Sequence, residues 1–173
     1  TADDFIPVSR IDLSCKISDI SVDVIEDIGK LAPFGTANPA PKVVIEDAPL
    51  ATINQIGSER NHLKTVFIDD HVQLEAVGFR LGHLFHEITA SAKVSAVGEL
   101  SINEWNGFRK PQLILEDLAV RDWQLFDCRN GRNLKEKLGS RPENKRLFVA
   151  FREETAADPQ FSRWADPFVS FVS

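Results

Sequence analysis

The spacing of apolar residues changes along the chain. Ile20, Val24, Ile28 and Leu31 recur at steps of four, four and three, the repeat of one face of an amphipathic helix. Ser18-Asp19-Ile20-Ser21 supplies capping side chains before this run, and Gly29 and Pro33 mark its end, so a helix of about three turns is predicted. The stretch L-A-P-F-G-T-A-N-P-A-P, Leu31 to Pro41, follows. Its prolines bar both helix continuation and central-strand pairing, which makes it a stiff elbow.

Beyond the elbow the period falls to two. Ala51 to Gly57, Leu63 to Asp69 and Val72 to Phe79 alternate or cluster β-branched and aromatic residues, and Asp69-Asp70-His71 separates the last two runs as a tight turn. Leu84, Phe85 and Ile88 predict one short helix. Lys93 to Leu100 and Gln112 to Val120 then give two more strands joined around N-E-W-N-G. Three strands, one helix and two strands are the order of a five-stranded OB-fold barrel, in which the helix lies between strands three and four. The fold class expected is mainly β, with residues 42–120 as the barrel and 1–41 as a preceding segment that carries the helix and the elbow. Residues 121–173 read as the start of an additional α/β domain: Trp123 to Cys128, Asn133 to Leu138 and Leu147 to Phe151 alternate strand, helix and strand, and Phe168 to Val172 starts another.

Composition narrows the class. The chain has 173 residues, 43% hydrophobic and 27% charged, a soluble, globular composition, and no apolar run approaches the length of a membrane span. It starts Thr1-Ala2-Asp3-Asp4 without a signal sequence, which predicts a piece of a longer protein. Cys15 and Cys128 stand far apart with no C-x-x-C spacing, which argues against a zinc site or disulfide framework and for a reducing cytoplasm. The net charge is -6, so whole-molecule attraction would not hold a polyanion and local clusters would have to. Residues 120 to 173 contain 10 basic and 8 acidic side chains. The densest basic run, Arg129 to Arg152, reads equally as a phosphate-binding surface or as a solvated helix and loop.

P-F-G-T-A-N-P, then R-N-H-L-K, V-G-F and L-S-I-N-E-W-N-G-F-R-K-P-Q-L resemble the RecJ family, single-strand-specific DNA exonucleases of the DHH phosphoesterase superfamily. The resemblance runs from about Phe5 to Val120, with Ala37 where the family usually shows glycine. It implies that the elbow joins the tail of the nuclease's second lobe to its OB domain. It implies a parent that degrades single-stranded DNA from the 5′ end with manganese or magnesium, acting in repair and recombination. D-W-Q-L-F-D-C-R-N-G-R resembles the opening of the extra C-terminal domain of longer members, which would bind DNA or a partner such as single-stranded-DNA-binding protein.

No catalytic motif and no metal or cofactor site is expected within this chain, and a chain without them is expected to be inactive as a nuclease. Asp69-Asp70-His71 is explained by a hairpin turn, since adjacent strand residues point to opposite faces. His83, His86 and Glu87 lack the H-E-x-x-H spacing and a third ligand. Binding chemistry remains, because OB barrels stack bases on exposed aromatics while basic side chains track the backbone. The candidates are Trp105, Asn106, Arg109 and Lys110 on one hairpin, beside Phe108, together with Arg60, His62 and Lys64 at the entry to another strand, and Arg80 after strand three. Trp105 reads alternatively as a cover for the barrel's end, and Arg60 and Lys64 as an ordinary polar face. The expected partner is single-stranded DNA, with an RNA-binding module and a protein-interaction barrel as the other two readings.

Overall fold

The computed structural model describes residues 10–121 and 124–126, and the backbone of two further strands at 148–150 and 169–171. The chain divides into two units, residues 1–126 and 127–173.

In the first unit, a two-residue strand β1 (Leu13–Ser14) and a 3-10 turn (Ile17–Asp19) precede helix α1 (Val22–Gly29). Ser21 caps α1, its Oγ accepting from the Val24 N–H at 3.3 Å. The buried face differs from the one the spacing predicts. Ile25 is buried on α1, joined by Ile17 and Ile20 from ahead of the helix, whereas Val24 and Leu31 are exposed. The helix begins only after Ile20, so that residue belongs to a tighter turn and is out of phase with the helical repeat. The elbow is tied internally. Gly35 and Asn38 exchange backbone hydrogen bonds at 2.8 and 3.1 Å, and the Asn38 amide donates to the carbonyls of Leu31 and Pro33.

The barrel is built from β2 (Lys42–Ile56), β3 (His62–Asp69), β4 (Val72–Gly78), β5 (Lys93–Trp105) and β6 (Phe108–Ala119). Each strand pairs with the next around the ring β2-β3-β4-β6-β5, and β5 closes it by pairing with β2. All pairings are antiparallel except β4 with β6. This is the OB fold, with a short 3-10 helix (Gly82–His86) between its third and fourth strands.

β2 starts immediately after Pro41, nine residues before the strand expected at Ala51. Its first half, Lys42–Pro49, pairs with β5 and its second half, from Leu50, with β3, and a register shift between Ile45 and Ala48 interrupts the β5 pairing. Asp47 lies at the shift with φ 50, and its N–H reaches Ser95 Oγ at 3.4 Å, the signature of a bulge that bends the strand as the barrel closes. β1 covers the remaining edge of β2, pairing in parallel with Val43 and Val44.

Alternation then fixes what is inside. Leu63, Thr65 and Phe67 of β3 point inward with Leu74 and Ala76 of β4 and Leu113 and Leu115 of β6. Each large apolar side chain removed from water contributes about 1.5–3 kcal/mol. Buried Thr65 is satisfied by donating to the Thr52 carbonyl at 2.7 Å. The same alternation sends His62 and Lys64 of β3, Glu75 and Val77 of β4, and Lys110 and Gln112 of β6 to the outer face.

In the second unit, β7 (Phe148–Ala150) and β8 (Val169–Phe171) form a parallel pair. Gln124 to Phe126 form no strand. The rest of the expected Trp123–Cys128 strand and the whole Asn133–Leu138 helix lie outside the described residues, as do the basic side chains between Arg129 and Arg152.

Candidate nucleic-acid interface

The β5–β6 hairpin projects as a two-stranded ribbon. Trp105 faces Phe108 across a two-residue turn in which Asn106 and Gly107 have φ 50 and 78, the paired positive values that Asn-Gly adopts in a type I′ turn. Cross-strand partners share a face, so Trp105 and Phe108 project together, followed on that face by the pair Asn103 and Lys110. Trp105 is 74% exposed and Phe108 73%. Trp105 therefore does not cover the barrel's end, the alternative its sequence context allowed.

Arg109 belongs to the opposite face, paired with Glu104 in register. Its guanidinium binds Glu26 of α1 at 2.8 Å, with Glu104 at 3.9 Å. Lys64 is likewise engaged, by Glu75 across the β3–β4 ladder at 3.1 Å. Arg60, Arg80 and Lys110 make no ion pair among the described residues. Six of the eight residues singled out by sequence thus fall into two groups at different places. Trp105, Asn106 and Lys110 share the hairpin, while Arg60, His62 and Arg80 gather where the β2–β3 loop meets the end of β4. Lys64 and Arg109 are held by carboxylates.

Sequence reasoning left Phe79 out of the second group. It is 60% exposed, and its ring meets that of His62 edge to face at 5.4 Å between centroids. His62 Nδ1 accepts from the Arg80 N–H at 3.1 Å. Phe79 follows buried Gly78, so strand alternation at the end of β4 was the signal that could have found it.

Asp69 closes the β3–β4 ladder opposite Val72, and Asp70 occupies the turn with φ 50, the hairpin role expected of them. His83 and His86 lie in the 3-10 helix. Among the described residues no three His, Cys, Asp or Glu side chains come together as a metal site. Burial, and then the charge of Asp19, push the Cys15 thiol up, which keeps it protonated and a poor nucleophile. No helix among the described residues is long and apolar enough to cross a membrane.

A closed five-stranded barrel in this order, with its short helix between strands three and four, defines an OB domain. Residues 11–117 match the sequence model of the RecJ OB domain, and the chain belongs to that family. It is 43% identical over 155 residues to the single-stranded-DNA-specific exonuclease RecJ of Bacillus subtilis, an alignment covering 90% of this chain and 20% of that protein. The chain therefore spans about a fifth of its relative's length. Among solved structures, the Thermus thermophilus RecJ in complex with Mn2+ matches at 21% identity and a TM-score of 0.44, over 60% of this chain and 14% of that one. A putative aspartyl-tRNA synthetase from Leishmania major matches at 13% identity and 0.47, over 65% and 21%.

Proposed function

We propose that this chain is the single-strand-gripping region of a RecJ-type exonuclease, which removes nucleotides from the 5′ end of single-stranded DNA in repair and recombination. The catalytic metals, manganese or magnesium, would be held by other parts of the parent, and the protein would work in the cytoplasm. Residues 42–120 form the gripping domain, residues 1–41 lead into it from the nuclease lobe, and residues 121–173 begin a further domain for DNA or for single-stranded-DNA-binding protein. The observation that carries this reading is the outward pair Trp105 and Phe108 with Lys110 on the same ribbon face. Two large rings held in solvent gain nothing from the barrel's own core, and a nucleobase stacked on them would recover the lost burial.

Titration of single-stranded DNA into the chain tests it. Trp105→Ala is expected to weaken binding by about 1–3 kcal/mol and to leave the melting temperature unchanged, since the side chain is exposed. Equal or tighter binding of RNA of the same length would favour an RNA-binding module. Absence of any nucleic-acid binding at low salt would favour a protein-interaction barrel.

A further inference from the structure

The corner where the β2–β3 loop meets the end of β4 is built more rigidly than a solvated loop requires. Arg60 and Arg80 both have positive φ, 53 and 63, which is uncommon for a non-glycine residue. Three cross-loop hydrogen bonds hold them there. Arg80 N–H donates to His62 Nδ1 at 3.1 Å, Gly82 N–H to the Asn61 carbonyl at 3.0 Å, and the Gln55 amide to the Gly82 carbonyl at 2.8 Å. Gly82 sits so close that a Cβ there would lie 2.3 Å from the Arg60 carbonyl oxygen. The brace fixes the backbone of two arginines that have no carboxylate partner among the described residues, at the same corner as the exposed Phe79 ring that His62 meets edge to face. A brace of this kind lowers the ordering cost that binding would otherwise incur.

This corner and the hairpin tip open onto one side of the sheet. Val77 pairs with Ile114 in the β4–β6 ladder, and alternation places Phe79, Val77, Ile114, Gln112, Lys110 and Phe108 on that outer side. Gly78 stands opposite Leu115, seven residues along β6 from Phe108, which sets the two ends about 23 Å apart at ~3.3 Å per residue. A stacked single strand advances ~3.4 Å per nucleotide, so about seven nucleotides bridge them, within the 4–16 that one such barrel occupies.

We infer that Phe79 is a second base-stacking station, with Arg60 and Arg80 receiving the flanking phosphates, so that one strand is gripped at both ends of the β4–β6 face. The inference rests on the single-strand-binding reading proposed above and adds the place and length of the contact.

The test measures affinity of the whole chain for oligothymidylates of about four and about twelve nucleotides, the short one able to occupy a single station and the long one both. Wild-type affinity is expected to climb with length. Phe79→Ala and Phe79→Leu are expected to remove that climb, weakening the long oligonucleotide roughly 5- to 150-fold while leaving the melting temperature unchanged. Replacing Arg60 and Arg80 together by Gln is expected to make the slope of log affinity against log salt shallower by about 1.4, two contacts at about 0.7 each. If Trp105→Ala weakens binding and both Phe79 variants bind the long oligonucleotide like wild type, the second station does not exist and the single-strand reading survives. If wild type binds neither length at low salt, both fall together.

Discussion

The hairpin tip and the braced corner both present an exposed ring beside a free cation, yet they are held in opposite ways. Around Gly107 there is open space, with no atom within 4 Å of a Cβ built there, whereas a Cβ on Gly82 would run into the backbone of Arg60 and Asn61. The tip depends on its own turn and ladder, and one residue pair behind it Arg109 is tied to Glu26 of α1. The corner depends on the β2–β3 loop, the segment after β4 and Gln55 of β2 fitting together. A ribbon tip with open space around its turn can follow a ligand, and a braced corner can fix the register of one, so the difference separates an adaptable contact from a positioning one.

Gly82→Ala should be the most damaging change to this contrast. The added methyl meets carbonyl and Cα atoms at 2.3 to 2.9 Å, so the loops must part and the bonds through Gly82 must stretch. A loss of about 1–3 kcal/mol or more is expected from overpacking against backbone, read as a lower midpoint in thermal or urea unfolding. Gly107→Ala meets no neighbour and suffers only from its φ of 78, for which about 1–2 kcal/mol is expected. If Gly107→Ala proves as harmful as Gly82→Ala, the corner is not braced in the way described. The smallest effect belongs between the two regions. Glu75→Gln frees Lys64 from its 3.1 Å partner. Stability should change by under about 1 kcal/mol, as for other partly exposed pairs, while affinity for single-stranded DNA should rise as a cation becomes available on the outer face. A fall in affinity would show that Glu75, not Lys64, is the useful member of the pair.

The barrel was legible because its strand order, the position of its short helix and the Asn-Gly turn are all local signals. The first half of β2 was not. Val43, Val44 and Ile45 are all buried in succession, so the run does not alternate, and Pro39, Pro41 and Pro49 around it read as loop. What allows a strand there is the bulge at Asp47 and the closing partner β5 about fifty residues away, neither of which periodicity reports. The α1 face was misjudged because a 3-10 turn at Ile17–Asp19 interrupts the phase before the helix begins. Among the candidate binding residues, Trp105 and its turn could be read from sequence. The capture of Arg109 by Glu26 could not, since the two lie on separate elements far apart in sequence.

The shared use of β2 also shapes the order in which the molecule can be made. During synthesis, Lys42–Pro49 emerges well before its β5 partner Lys93–Glu99. About fifty residues at ~5–20 residues per second leave that edge unmatched for roughly 2–10 s. Leu13–Ser14 is already outside the ribosome by then and offers Val43 and Val44 hydrogen bonds from the other edge. Glu46, Asp47 and Pro49 follow directly on the apolar run, the placement of charge and proline that discourages one nascent strand from pairing with its copy on a neighbouring ribosome.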